Sequence, residues 1–356
     1  MVTDSAAPGA GVGVSIAGRH FFHGTGRLGV DDATRPDSAT IYDLASLTKV
    51  IGLTTMVMIG ADEGRLLLDS SLVHYLPAFE HGDSARRAVT LRHLLTHSSG
   101  LPAWRPIYHE TNDRVAALAA VDTTPLDTLP GTRFLYSDLG AIVLTQAVEA
   151  AYGMRLDSLL AQRVFTPVGM GDTRYLPPTS WLPRIAPTEN DPWRGRVLRG
   201  EVHDENAAGL GGVSGHAGLF SSARDLVQFG DWLLGRLAAA DSSVHCALGS
   251  TEQVAPLLRD IPQFVTRQEL PPGSSRALGW DTPSGESSAG HYFSARSFGH
   301  TGFTGTSIWI DPTRCLVLVL LSNRVHPSRS NNRWGPVRAG VADRVVEMLG
   351  DSVVTP

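Results

Sequence analysis

Apolar residues at Leu47, Val50, Ile51, Leu53, Met56, Val57 and Ile59 run without a proline to Asp62-Glu63-Gly64, which predicts a buried helix over 47–63. Upstream, 11–16 alternates small and apolar residues, Ala17-Gly18 makes a turn, and Phe21-Phe22-His23 resumes the pattern, which reads as a β-hairpin. Gly9, Gly11 and Gly13 do not make a nucleotide fingerprint, because the third glycine of that pattern is absent and no helix follows. From Leu66 to about Asn206 the helical periods 113–121, 139–152 and 156–165 alternate with Pro- and Gly-marked loops, and strand signals are scarce. Strand patterns return at 294–298, 306–310 and 316–322, with Asp311-Pro312 as a turn. The stretch 335–349 then sets Val337, Val341, Val345, Val346 and Leu349 on one helical face.

These patterns predict an α+β fold in which an antiparallel sheet is flanked by helices. The N-terminal hairpin and the C-terminal strands share one sheet, in a discontinuous lobe of residues 1–65 and 207–356. A mainly helical insertion, 66–206, interrupts it, and the active site is expected between the two.

Composition narrows the function classes. A chain of 356 residues with 42% hydrophobic and 18% charged content is long enough for a large core. A net charge of -5 gives no basic surface for nucleic acid or anionic membrane, and no apolar run of bilayer-spanning length occurs. Residues 1–10 carry no secretion-signal pattern, so a cytoplasmic address is expected. Cys246 and Cys315 lack metal-type spacing and read as buried free thiols.

The basic residues carry the first chemical signal. Lys49 is the only lysine among 30 Lys and Arg, and it stands three residues after Ser46. Arginine stays protonated, whereas a buried lysine can release its proton and act as a base. Positions three apart share a helix face, and the first helical turn disfavours an ammonium while favouring an oxyanion. Ser46 and Lys49 therefore read as an S-x-x-K activated nucleophile. The bland reading of the pair is a helix cap followed by a solvated lysine.

Further motifs decide between these readings: 91–102 (LRHLLTHSSGLP), Pro130-Gly131 with Tyr136-Ser137-Asp138, 215–221 (GHAGLFS), and Gly299-His300-Thr301-Gly302. With Ser46-Leu47-Thr48-Lys49, and over roughly 11–327, the chain resembles the superfamily of class C β-lactamases and low-molecular-weight penicillin-binding proteins, with its carboxylesterases, amidases and transacylases. The resemblance implies a β-lactamase/transpeptidase-like fold. It also implies Tyr136 as proton shuttle beside Ser46 and Lys49, and an oxyanion hole at the backbone N–H groups of Ser46 and Phe303, with Gly302 letting substrate approach the strand edge.

Two positions depart from the β-lactamase pattern. Asp138 replaces the usual asparagine; placed near Lys49 it would keep the lysine charged and make Tyr136 the better base, a choice the sequence leaves open. His300 replaces the usual lysine, which removes a permanent cation suited to a substrate carboxylate and argues against strong β-lactamase or cell-wall peptidase activity. Trp104, His203, Asp204, His216 and Trp280 are candidate pocket residues. The 201–206 stretch reads as a loop bordering the pocket, without helical His spacing for a metal.

The function expected is acyl transfer through an acyl-Ser46 intermediate from a small-molecule ester or amide, with hydrolysis as the family's default and no cofactor or metal called for. Transfer of the acyl group to an amine or alcohol in small-molecule biosynthesis is the alternative. A non-catalytic binding protein on the same fold is the rival from another class.

Overall fold

The structure is a computed structural model that describes residues 6–246, 248, 256 and 258–350. Of the N-terminal stretch read for a leader, residues 1–5 lie outside the described residues. Among the described residues ten strands run in chain order: β1 Gly9–Ile16, β2 Arg19–Gly26, β3 Ile41–Asp43, β4 Arg174–Tyr175, β5 Asn190–Asp191, β6 Arg196–Val197, β7 Leu219–Ser222, β8 Phe298–Thr301, β9 Ser307–Asp311 and β10 Leu316–Ser322. The main sheet is antiparallel, in the order β2-β1-β10-β9-β8, so the hairpin and the C-terminal strands do share it. β3, β7 and β4 form a second, small sheet.

β10 explains how both faces of the main sheet are covered. Its residues are all buried. Leu316, Leu318 and Leu320 point to the side packed by the Gly335–Leu349 helix, and Val317, Val319 and Leu321 join the principal core on the other side. A strand buried on both faces reads as a continuous apolar run instead of an alternation. The second face is covered by the Ala223–Ala240 helix, an element absent from the sequence expectations. Its apolar residues Leu226, Val227, Phe229, Leu233, Leu234 and Leu237 gather on one side, with Arg224 and Gln228 on the other, as a helix laid on a sheet requires. Gly230 is a point of close approach: a Cβ there would meet Val317 Cγ1 at 2.4 Å.

Three expectations are corrected. The strand expected over 294–298 begins instead at Phe298, because Ser294 and Ser297 form a turn held on the Asp311 carboxylate, Ser294 Oγ donating to Asp311 Oδ1 at 2.7 Å. The helix expected over 47–63 is continuous but uneven: a 3-10 turn at Ala45–Leu47, a wider π-helical stretch at Lys49–Thr54, then a regular helix over Thr55–Asp62. Cys246 and Cys315 are not free thiols. They are joined in a disulfide with Cα atoms 5.4 Å apart, linking the segment after the Ala223–Ala240 helix to the β9–β10 turn. Cys315 lies in that turn, not in the strand, so the apolar pattern around it misled.

The disulfide closes a loop with a sequence separation of 69, which restricts the unfolded chain. Cys315→Ser is therefore expected to lower stability by about 4 kcal/mol, measured as the denaturant midpoint without reductant. Equal midpoints for variant and parent would rule out a stabilising bridge. Among the described residues no helix is long and apolar enough to cross a membrane.

Candidate active site

Ser46 sits at the head of the long buried helix, where β3 leads into a strained step. Ala45 has φ 46°, left-handed for a residue with a Cβ, at a cost of about 1–2 kcal/mol. The buried Asp43 carboxylate supports the turn by accepting the Ala45 N–H at 2.8 Å and the His203 N–H at 2.6 Å.

Lys49 is 3% exposed, with its ammonium among three acceptors: Ser46 Oγ at 2.9 Å, the His216 carbonyl at 3.0 Å and Asp138 Oδ1 at 2.6 Å. An ammonium has three N–H donors, so the site is built for the charged form. Burial opposes that charge, but the Asp138 carboxylate and the Tyr136 phenol outweigh it and hold Lys49 above its usual range. The first-turn argument for a neutral lysine is thus overridden by an adjacent anion. Asp138 is placed there by the Asp138–Tyr152 helix, capped by Ser137 Oγ accepting from Gly140 N–H at 3.0 Å.

Tyr136 lies against this pair, with Lys49 Nζ 4.9 Å from its ring centre and the Arg276 guanidinium 5.4 Å from it. Its hydroxyl is enclosed, with the Lys49 ammonium as the polar group beside it. The ring is held by His97. The His97 carbonyl accepts the Leu135 N–H at 2.8 Å, its Nδ1 accepts the Ser137 N–H at 3.1 Å, and its ring lies 4.4 Å from that of Tyr136. The 91–102 motif contains His97, yet nothing in the sequence assigns it this contact.

β8 forms the far wall. Thr304 Oγ1 donates to the Asp43 carbonyl at 2.7 Å and Thr306 Oγ1 to the Leu44 carbonyl at 2.9 Å, stapling the turn after β8 to the segment entering Ser46. Gly302 is required by this approach, since a Cβ would stand 2.3 Å from the Leu44 carbonyl oxygen. Phe303, half exposed, lines both cavities that meet at Ser46.

The first cavity, about 480 Å³, holds Ser46, Tyr136 and His300 together with Arg276, Arg324 and Arg338. Arg276 Nε and Nη1 and Arg338 Nε are enclosed without hydrogen-bond partners among the described residues. Burial and the neighbouring Arg324 push Arg338 down to about 10, so it remains charged near neutrality. These arginines were not singled out in the sequence; no motif marks them, and Arg338 lies beyond the 11–327 resemblance.

The second cavity, about 280 Å³, is lined by Trp104, His203, Asp204 and His216, with Asp138 and Arg329. Its imidazoles are committed to carboxylates, His216 Nε2 to Asp204 Oδ1 at 2.8 Å and His203 Nε2 to Glu189 Oε2 at 2.9 Å. Burial raises Glu189, but His203 and Arg329 hold it down to about 2. Trp280 is corrected: it is fully buried, edge-on to Phe298 at 5.1 Å, and belongs to the core.

Two buried imidazoles make the fold acid-sensitive. Burial and then the Arg276 and Lys49 cations push His97 and His300 well below 6.5. A depressed folded-state value means that the unfolded chain binds the protons, so this stability is complete above about pH 6.5 and is lost as pH falls. Each imidazole is expected to remove up to about 1.4 kcal/mol per pH unit below that point. Denaturant midpoints from pH 6.5 to 4.5 test this, with His97→Asn expected to flatten the slope; a flat wild-type profile contradicts it.

Comparison with known proteins agrees with this geometry. The Beta-lactamase family model matches residues 1–343. A relative from Escherichia coli (strain K12), provisionally named a D-alanyl-D-alanine carboxypeptidase, is 30% identical over 340 residues, covering 87% of this chain and 75% of its own. Among solved structures, a β-lactamase/D-alanine carboxypeptidase from Yersinia pestis complexed with citrate superposes with a TM-score of 0.73 at 20% identity, over 98% of this chain and 95% of that one. A class C β-lactamase from Rhodobacter sphaeroides also gives 0.73, at 23% identity over 98% and 97%. The structural likeness establishes the β-lactamase/transpeptidase-like fold, and the family match establishes membership: the chain belongs to the β-lactamase family of serine hydrolases.

Proposed function

We propose that the protein forms an acyl-Ser46 intermediate from a small-molecule ester or amide whose departing portion carries an anionic group, and that it releases the acyl group mainly to water. The observation that carries this reading is the cavity in which Ser46 Oγ, 2.9 Å from the Lys49 ammonium, shares space with Tyr136 and three arginines. In one relay Tyr136 Oη gives its own proton to the leaving group and takes the Ser46 proton in exchange, so the hydroxyl is restored. Lys49 and Arg276 favour the negative charge that the phenol oxygen gathers in transit. The N–H groups of Ser46 and Phe303 receive the oxyanion; a donor of this kind is worth about 3 kcal/mol in comparable enzymes.

The anionic group follows from Arg276 Nε and Nη1 and Arg338 Nε, which have no partner among the described residues, whereas Arg324 and Arg338 Nη2 are held by backbone carbonyls. The absence of a cation at His300 therefore no longer argues against carboxylate-bearing substrates, and the name of the Escherichia coli relative is compatible with such chemistry. The division into a sheet lobe (1–65 and 207–356) and a helical insertion (66–206), with the site between them, is part of the same proposal. For the compartment, the disulfide favours an oxidising one over the cytoplasm expected from the sequence.

The test is intact-protein mass spectrometry after exposure to p-nitrophenyl esters, D-amino-acid amides, carboxylate-ended dipeptides and a penicillin, with Ser46→Ala as control. Addition of the acyl mass to the parent only is expected. No adduct from any of them rejects the reading in favour of a non-catalytic binder. Arg276→Gln is expected to raise KM about tenfold for carboxylate-ended substrates and to leave KM for their neutral amide counterparts within twofold; equal shifts for both would remove the anion role.

A further inference from the structure

Two stretches that take no part in the proton transfers meet behind Lys49: 201–206 and Ser214-Gly215-His216. His216 is buried, and both its ring nitrogens are committed, Nδ1 to Ser214 Oγ at 2.8 Å and Nε2 to Asp204 Oδ1 at 2.8 Å. A carboxylate only accepts, so the proton of the neutral ring sits on Nε2 and the Ser214 hydroxyl donates to Nδ1. Asp204 stays ionised: burial opposes this, but His216, the Ala207 N–H and Lys49 hold it well below the usual carboxylate range. Asp204 is itself fixed, because its Oδ1 also caps the Glu205–Gly209 helix by accepting the Ala207 N–H at 2.7 Å. On either side of it the His203 N–H is held by Asp43, and the Asn206 side chain bonds to the Arg105 carbonyl at 2.8 Å and the Tyr108 N–H at 3.1 Å.

These bonds end on a carbonyl. The His216 backbone oxygen accepts from the Lys49 ammonium at 3.0 Å, alongside Ser46 Oγ at 2.9 Å and Asp138 Oδ1 at 2.6 Å. The carboxylate is the strongest of the three acceptors, and alone it would draw the ammonium away from Ser46 and Tyr136. The carbonyl opposes that pull only while the 216–217 peptide faces Lys49. Upstream the backbone is pinned by Tyr175 Oη donating to the Ser214 carbonyl at 2.8 Å and by Thr145 Oγ1 accepting the Gly215 N–H at 2.9 Å. Downstream the Leu219 N–H is held by Thr48 Oγ1 at 3.2 Å. Between these pins, the His216 imidazole is the side chain that anchors the peptide.

We propose that His216 and Asp204 are positioning residues for Lys49: bonded to each other and to Ser214, they aim the 216 carbonyl at the ammonium and so keep Lys49 between Ser46 and Asp138. They act on the reaction through Lys49. A misplacement of about 1 Å is enough to cost about 10²-fold in rate. Removing the anchor therefore slows acylation without weakening the binding of a small neutral ester. This proposal rests on the acyl-Ser46 reading, to which it adds the groups that hold the cation in place.

The test is a pair of double-mutant cycles on Ser46 acylation by p-nitrophenyl acetate, followed by intact-protein mass spectrometry over a range of ester concentrations. His216→Ala and Asp204→Ala are each made in the wild type and in Lys49→Met, with melting temperatures recorded for all. In the wild-type background each is expected to lower the saturating rate by about 10²-fold and to leave the half-saturating concentration within about twofold. In the Lys49→Met background each is expected to lower the residual rate by less than about threefold, because the ammonium on which the anchor acts is gone. A side chain that merely supports the fold costs the same factor in both backgrounds, and that result overturns the proposal. Asp204→Asn keeps an oxygen for the His216 and Ala207 N–H groups, and is expected to recover at least about tenfold of the Asp204→Ala loss. Equal losses in these two variants would assign the effect to charge and overturn the positioning role. Should His216→Ala not fold, Asp204→Ala, changed at a side chain bordering the second cavity, decides by the same criteria, and a wild-type rate in it overturns the proposal. Absence of the acyl-Ser46 mass in the wild type instead rejects the reading on which the proposal rests, so the two failures are distinguishable in one experiment.

Discussion

Replacing Lys49 with methionine is expected to lower kcat/KM for Ser46 acylation by about 10³- to 10⁴-fold, equivalent to about 4–5.5 kcal/mol of transition-state stabilisation. Methionine matches the unbranched stem but removes the charge and all three donors, so Ser46 Oγ, the His216 carbonyl and Asp138 each lose a partner. Asp138 is then a largely enclosed carboxylate without its counter-ion, and stability should fall by about 3 kcal/mol. Lys49→Met with Asp138→Asn is expected to regain most of that stability and none of the activity, which separates the two consequences. Lys49→Arg sharpens the assignment. Arginine retains the cation and cannot serve as a base, so about tenfold more activity in Lys49→Arg than in Lys49→Met is expected if the charge is what matters. Equal inactivity in both would return the base role to Lys49. Methionine-variant acylation within tenfold of wild type would remove Lys49 from the chemistry altogether.

Tyr136→Phe is expected to lower kcat by about 10³-fold, within the range for loss of a positioned acid–base group. The change deletes one oxygen and leaves the packing in place: the ring still lies against His97 at 4.4 Å and beneath Arg276 at 5.4 Å. Because the Lys49 ammonium beside the hydroxyl keeps its three other acceptors, removing the hydroxyl should change the melting temperature little. KM for carboxylate-ended substrates should change little, since the arginines are untouched. A kcat within tenfold of wild type, or a loss confined to KM, would exclude Tyr136 as the proton carrier. A large drop in melting temperature would show that the hydroxyl has a structural partner.

These two experiments also reflect how unevenly the sequence disclosed the site. Ser46 and Lys49 were readable because residues three positions apart on one helix keep their mutual distance whatever the rest of the chain does. Tyr136, Phe303 and Gly302 were readable only through the ordered motifs and the resemblance they support. Their approach to Ser46 depends on staples such as Thr304 to the Asp43 carbonyl, which join segments more than 250 positions apart. Arg276, Arg338 and the seating role of His97 had no local signal. An arginine among 29 is indistinguishable from a solvated one until the fold turns it toward a cavity.

The same division holds for the fold. The hairpin, the Asp138–Tyr152 helix, β10 and the C-terminal helix were legible because each buries one face, or is apolar throughout, with a period that local geometry imposes. The Ala223–Ala240 helix also carries an apolar stripe, but Gly230, Gly235 and the buried Asp225 and Asp231 interrupt it along the sequence. The sequence by itself determined the hairpin, β10, the helices that carry Ser46 and Asp138, the nearness of Ser46 to Lys49, and the family. Tertiary structure decided the charge of Lys49, the cationic character of the first cavity and the pairing of the two cysteines. The physical reason is common to all three: each depends on the distance between groups remote along the chain, and electrostatic and covalent partners act through space, where sequence period carries no information.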